Sequence, residues 1–249
     1  MTQDAERSFA GTRLEDADFS RARLHAPNFQ GTRITDAWLR EADFSGDIHG
    51  MRVNGIEIAP LVEAELDRQF PERRALRATD PKGLAGAWAM IEDLWASTLE
   101  QARRLDEPLL HERVDGEWSF VETLRHLILA TDCWLNVMIL GKPRPYHRFG
   151  LAGSFLTEPE RIGLEPAADP TLDEVLAVRR GRMDAVALTL SSLTPDELGR
   201  PLAGPSDGSP PQPDDPATVL SCLGVILNEE WEHCRYAARD LGILESRGP

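Results

Sequence analysis

The first fifty residues repeat on a period that belongs to neither helix nor strand. Phe9, Leu14, Phe19, Leu24, Phe29, Ile34, Leu39 and Phe44 fall five residues apart without a break. The position two before each is mostly small: Thr12, Ala17, Ala22, Thr32, Ala37 and Ala42 fit, whereas Arg7 and Pro27 depart. A helix repeats every 3.6 residues and a strand every 2, so one amphipathic helix would spread these side chains around its circumference. A fixed short period predicts a stack of like units, and a stack this short leans on something else to bury its apolar row.

Beyond Ile58 the spacing changes to three and four. APLVEAELDRQF, residues 59–70, predicts a short amphipathic helix stopped by Pro71. Four longer helices follow. The first runs from about Lys82 to Leu105 on Leu84, Trp88, Ile91, Leu94, Trp95, Thr98 and Leu99. The second opens at Ser119, three before Glu122 in a capping box, and carries an almost unbroken apolar run to Leu140, where Gly141 and Pro143 end it. The third starts at Thr171 with Glu174 and runs to about Leu193. The fourth opens with Asp215 and Pro216 as cap and first turn and continues to about Leu241.

The connections between the second and third and the third and fourth helices, roughly 30 and 20 residues, are longer than an up-and-down bundle uses. GPSDGSPPQPDDP, residues 204–216, reads as a linker. The expected fold class is mainly α: a repeat module over residues 1–55, a connecting helix and linker over 56–80, and a four-helix bundle with long crossover loops over 81–249.

Composition narrows the partners. The chain has 249 residues, 41% of them hydrophobic, enough for a core, and 27 Lys+Arg against 42 Asp+Glu give a net charge of −15. Such a field argues against nucleic acid as a partner. Three cysteines, an odd number, exclude a disulfide scaffold. No basic-then-apolar leader opens the chain, and no apolar run reaches the ~18 residues of a membrane span. A cytoplasmic protein without a membrane segment is expected.

The candidate chemistry lies in the two most apolar helices, which carry His126 and His233. Glu229 precedes His233 by four residues, so both project from one side of the last helix, about 6 Å apart along its axis. A carboxylate buried alone costs several kcal/mol, which a divalent ion offsets. If the second helix packs on the fourth, His126 supplies a third ligand. Two imidazoles and a carboxylate suit zinc with an open position, and nickel or ferrous iron also. EEWEH offers Glu230 and Glu232 as competing carboxylates, and spacing alone does not choose among them.

Around this centre, Trp118 reads as a packing residue and Ser119 as a helix cap. His111, Arg113, Asp115 and His147 lie in loops flanking the second helix, where substrate contacts are expected. His147 with Arg144 and Arg148 forms a concentrated positive patch suited to an anionic substrate. Arg235 is placed to fix a carboxylate. Cys133 and Cys234 read as buried small hydrophobes.

The repeat resembles the pentapeptide-repeat family, whose coils form a four-sided right-handed β-helix with the central apolar side chains inward. GEWSFVETLRHLILATDCW (116–134) and LNEEWEHCRYAARDLG (227–242) resemble the DinB-like superfamily of bundle metalloproteins, over roughly residues 80–245. That resemblance implies that His126, Glu229 and His233 hold a divalent metal. A glutamate at the middle position is similar to the branch containing mycothiol-dependent maleylpyruvate isomerase. It implies a thiol S-transferase or isomerase that joins a low-molecular-weight thiol, such as mycothiol or bacillithiol, to a small electrophile. Arg113, His147 and Arg235 are then expected to bind the thiol co-substrate, and no residue is assigned as catalytic. No part of this sequence outside the bundle resembles the isomerase's extra C-terminal domain. The competing expectation is a non-enzymatic stress-response or binding protein, its metal structural or absent, whose repeat contacts a partner or a second copy in a homodimer.

Overall fold

In the N-terminal repeat the five-residue period is a period of backbone turns. Gly11, Asp16, Arg21, Ala26, Gly31, Asp36 and Glu41, each two residues after a central apolar position, adopt positive φ between 48° and 71°. Glycine takes this conformation freely and aspartate tolerates it, whereas Arg21, Ala26 and Glu41 adopt it against their Cβ. Alternate turns are closed by hydrogen bonds from Thr12 N to Phe9 O, Ala22 N to Phe19 O, Thr32 N to Phe29 O and Ala42 N to Leu39 O. Short polar side chains brace them: Ser20 N donates to Asp18 Oδ1 and Gln30 N to Asn28 Oδ1. The eight central side chains nevertheless stay between 45% and 60% exposed, because a stack this short has no interior layer covered on both sides.

The computed structural model describes residues 8–24, 26–153, 156, 158–203 and 217–247, and the chain divides into two units, Met1–Phe44 and Ser45–Pro249. The second unit opens with a hairpin of β1 (Arg52–Val53) and β2 (Ile56–Glu57), antiparallel, with Val53 opposite Ile56. Its two-residue turn has φ 50° at Asn54 and 82° at Gly55, the pattern for which Asn-Gly is favoured. Helix α1 (Ala59–Gln69) ends ahead of Pro71 as expected, and a 3₁₀ helix (Pro71–Arg77) follows. Buried Arg73 reaches back to Glu63 and Asp67 and fastens this turn to α1.

The bundle consists of α2 (Pro81–Ala102), α3 (Glu107–Leu110), α4 (Phe120–Thr131), α5 (Leu172–Ser192), α6 (Pro195–Leu198) and α7 (Val219–Ser246). Leu84, Ala87, Trp88, Ile91 and Trp95 of α2, Leu124, Leu127 and Ile128 of α4, and Leu223, Ile226 and Leu227 of α7 meet in one core. Helix α7 packs on α2 and α4, and α4 on α5. The four long helices expected from periodicity are present, and α3 and α6 are single turns too short to carry a period.

Two boundaries differ from expectation. The second long helix is α-helical only to Thr131, and Asp132–Ile139 is wound as a π-helix. The change falls at fully buried Asp132, whose carboxylate accepts hydrogen bonds from Asn136 Nδ2, His147 N and the Arg182 guanidinium. Helix α7 is capped by Thr218, which accepts from Ser221 N, and continues past Leu241 to Ser246. The expected Asp215 and Pro216 start lies outside the described residues. Among those residues no helix is long and apolar enough to cross a membrane.

One buried ion pair joins three helices. Arg179 of α5 donates to both carboxylate oxygens of Glu230 on α7, at 3.0 and 2.7 Å, and stacks 5.0 Å from the Trp95 ring of α2. Removing one partner strands the other charge, so Arg179→Met should destabilise the fold by about 3–5 kcal/mol. The double variant Arg179→Met, Glu230→Leu should lose less than either single change. Urea unfolding of the three proteins checks this, and additive losses would contradict it.

Candidate metal centre

The capping box sets the start of α4. Glu122 N donates to Ser119 Oγ, and Ser119 N donates back to Glu122 Oε2. With Leu124, Leu127 and Ile128 turned into the core, His126 emerges at the rim, its side chain 12% exposed. On α7 the buried Glu230, Trp231 and Cys234 define the inner face, leaving Glu229 and His233 at the edge, 34% and 21% exposed.

Glu229 Oε2 lies 3.2 Å from His126 Nε2 and 3.2 Å from His233 Nε2. One donor atom from each residue falls within 4.8 Å of the others. The three competing carboxylates are therefore sorted by partner: Glu230 belongs to Arg179, Glu232 to Arg235 at 2.8 Å, and Glu229 alone faces the imidazoles. Trp118 walls one side, its ring 4.5 Å from that of His126 and 6.0 Å from that of His233.

His126 Nδ1 is 3.1 Å from Leu151 O. A carbonyl only accepts, so Nδ1 carries the hydrogen and the neutral ring presents a lone pair at Nε2. That lone pair points at a carboxylate oxygen, an arrangement that needs positive charge between the two: a proton on the ring or a cation. The donor set fits a divalent metal, since two imidazole nitrogens and one carboxylate oxygen converge on one point with a side open to solvent. Zinc, nickel and ferrous iron all accept such ligands.

Burial would raise the Glu229 carboxyl, but the hydrogen bonds and charge interactions it makes with His126 and His233 outweigh it and hold the group well below the carboxylate range. Burial pushes all three thiols up: Cys234 to about 11, Cys222 to about 11 and Cys133 further, with Asp132 and Glu229 adding to the last. Cys234 also sits 3.3 Å from Thr98 Oγ1.

Arg113, His147 and Arg235 are each engaged elsewhere. Arg113 grips both oxygens of Glu122. His147 accepts from Phe149 N at Nδ1, and burial, followed by the Arg182 charge, lowers its pKa. Arg235 spans the Phe70, Trp231 and Tyr236 rings besides binding Glu232. None of the three shares a hydrogen bond or ion pair with His126, Glu229 or His233. The positive patch is partly neutralised, since Arg148 pairs with Glu165. Sequence reasoning overlooked Arg125, Asp132, Arg179 and Glu230 as supports of this centre. The available signal for Arg125 and Asp132 was a charged residue inside an apolar helical run, which is buried only when it is partnered, whereas Arg179 and Glu230 stand among other charges and carry no such mark.

The sign of the Glu229 shift fixes a pH dependence. A carboxyl whose folded value is depressed contributes stability that is present above its ordinary value of 4.5 and is lost as the pH falls toward the folded value. In metal-free protein, the melting advantage of wild type over Glu229→Gln should therefore begin to shrink as the pH falls below about 5 and still be shrinking at about 3. A gap that persists unchanged over that range would contradict the pairing.

Two family models match the chain. A family model described as pentapeptide repeats (9 copies) matches residues 9–48. No curated protein and no solved structure matches the chain. A model of the DinB superfamily matches residues 90–237, which spans α4, α5 and the ligand-bearing part of α7, and the chain belongs to that superfamily.

Proposed function

We propose that this protein is a metal-dependent transferase or isomerase that brings a low-molecular-weight thiol, of the mycothiol or bacillithiol kind, to a small electrophile. The observation that carries the reading is the convergence of His126 Nε2, Glu229 Oε2 and His233 Nε2 on one solvent-open point. A divalent ion held there, zinc first among the candidates, would lower the pKa of a thiol bound at its open position and present a thiolate at neutral pH. The buried cysteines support an external thiol, because a thiol whose pKa is pushed up by burial is a poor nucleophile.

The remaining residues shape access. Trp118 closes the face behind the two imidazoles, so a ligand approaches from the exposed edge of Glu229 and His233. Arg113 and His147 are the proposed contacts for the polar groups of the thiol, and Arg235 for a carboxylate; each would exchange a present partner on binding. The net charge of −15 opposes an anionic ligand, leaving the ion and these local groups to hold it. We place the protein in the cytoplasm, without nucleic-acid or membrane partners.

A second reading, a binding protein whose metal is structural or absent, draws on the eight half-exposed apolar residues of the repeat, a surface suited to a partner or to a homodimer.

Elemental analysis of protein purified without chelator should find about one zinc, nickel or iron per chain, lost in His126→Ala and His233→Ala. Metal-loaded wild type should consume mycothiol or bacillithiol in the presence of electrophiles, and the two variants should not. Chelator should lower the melting temperature by mass action. Wild type without metal, or metal-loaded wild type inert toward both thiols across an electrophile panel, would overturn the enzymatic reading.

A further inference from the structure

The connection from α4 to α5 is rich in glycine and proline, yet one stretch of it is held against α4 by a buried guanidinium. Arg125 is 4% exposed and forms no ion pair with a carboxylate among the described residues. Its Nε donates to Phe149 O at 2.9 Å, Nη1 to Ala168 O at 2.6 Å, and Nη2 to Glu165 O at 2.8 Å and Pro166 O at 3.3 Å. Four carbonyls from two separated points of the loop thus converge on one side chain. The backbone oxygen of Arg125 in turn accepts from Leu151 N at 3.2 Å.

Leu151 is the residue whose carbonyl meets His126 Nδ1. Next to the first anchor point, Gly150 is enclosed by the loop's own residues and α4, and a Cβ there would meet Leu164 Cδ2 at 2.9 Å, His147 O at 3.1 Å and, on α4, Leu129 Cβ at 3.4 Å. The loop therefore has little freedom at the point where it touches the ligand.

We propose that Arg125 is a positioning residue: by gripping Phe149 O and the 165–168 carbonyls it fixes Leu151, whose carbonyl holds His126 in the Nδ1–H tautomer and aims Nε2 at the ion. The role of the ion rests on the metal reading above; the tautomer does not. Outer partners of a metal-ligating histidine typically change metal affinity by about 10- to 100-fold when lost. Arg125 acts one step further out, through the backbone.

Long-range ¹⁵N NMR of His126 in chelator-treated protein, at a pH where the ring is neutral, should show the hydrogen on Nδ1 in wild type and a mixture of tautomers in Arg125→Gln. Zinc affinity, measured by competition with a chromophoric chelator, should fall about 10-fold or more in that variant. A merely structural role would lower the melting temperature and leave both readouts of the folded protein unmoved. Gly150→Ala, which displaces the same segment without touching Arg125, should move both in the same direction and carries the test if Arg125→Gln does not fold. Hydrogen on Nε2 in wild type, or wild-type tautomer and affinity in both variants when folded, would overturn the proposal. Wild type that binds no zinc would sink the metal reading, whereas the tautomer readout still decides the clamp.

Discussion

A single carboxylate oxygen, Glu229 Oε2, faces two imidazole nitrogens at 3.2 Å each, and a hydrogen bond at the far side of one ring turns its lone pair toward that oxygen. Acceptor against acceptor repels, so the centre holds together only with positive charge between the groups. A divalent ion would meet that need with three ligands at once. The surrounding architecture keeps Glu229 available for this role. Glu230, its neighbour, is consumed by Arg179 in the core, and Glu232 by Arg235, so the run of acids on α7 reduces to one group facing α4.

The second constraint is how an irregular segment comes to touch the His126–Glu229–His233 cluster. The long crossover between α4 and α5 lacks the hydrogen-bond ladder of a helix or sheet, and its backbone groups must find partners elsewhere. Two buried charges provide them: Asp132 takes His147 N, and Arg125 takes the carbonyls of Phe149, Glu165, Pro166 and Ala168. A small apolar cluster of Leu129, Cys133 and Leu164, flanked by Trp134, Tyr146 and Leu156, presses the same segment against the outer face of the helix. Asp132 also opens the π-helix, so the backbone irregularity and the loop anchor share one residue.

Periodicity made the helical layout legible, because apolar residues at three and four, with Ser119–Glu122 and Thr171–Glu174 as caps, leave few alternatives. The clustering of His126, Glu229 and His233 was legible from His126 in an apolar run and the Glu229–His233 spacing, but the choice among three glutamates depended on partners hidden from spacing alone. The π-helix escaped because its apolar sequence reads equally well as α. The Arg125 clamp escaped because its acceptors are carbonyls, which every residue carries and no sequence pattern marks. Asn54-Gly55 was a readable hairpin signal within a stretch assigned to the repeat module. In the repeat the period was plain, yet the exposure of its apolar row followed from the number of units rather than from their sequence.

X-ray absorption spectroscopy at the metal edge of the purified protein tests the central claim most directly. The expected metal ligands are nitrogen and oxygen only, two of them imidazoles at about 2.0–2.1 Å, with one sulfur at about 2.3 Å appearing when a low-molecular-weight thiol is added. Sulfur present before any thiol is added, or a spectrum unchanged in His126→Ala, would contradict it.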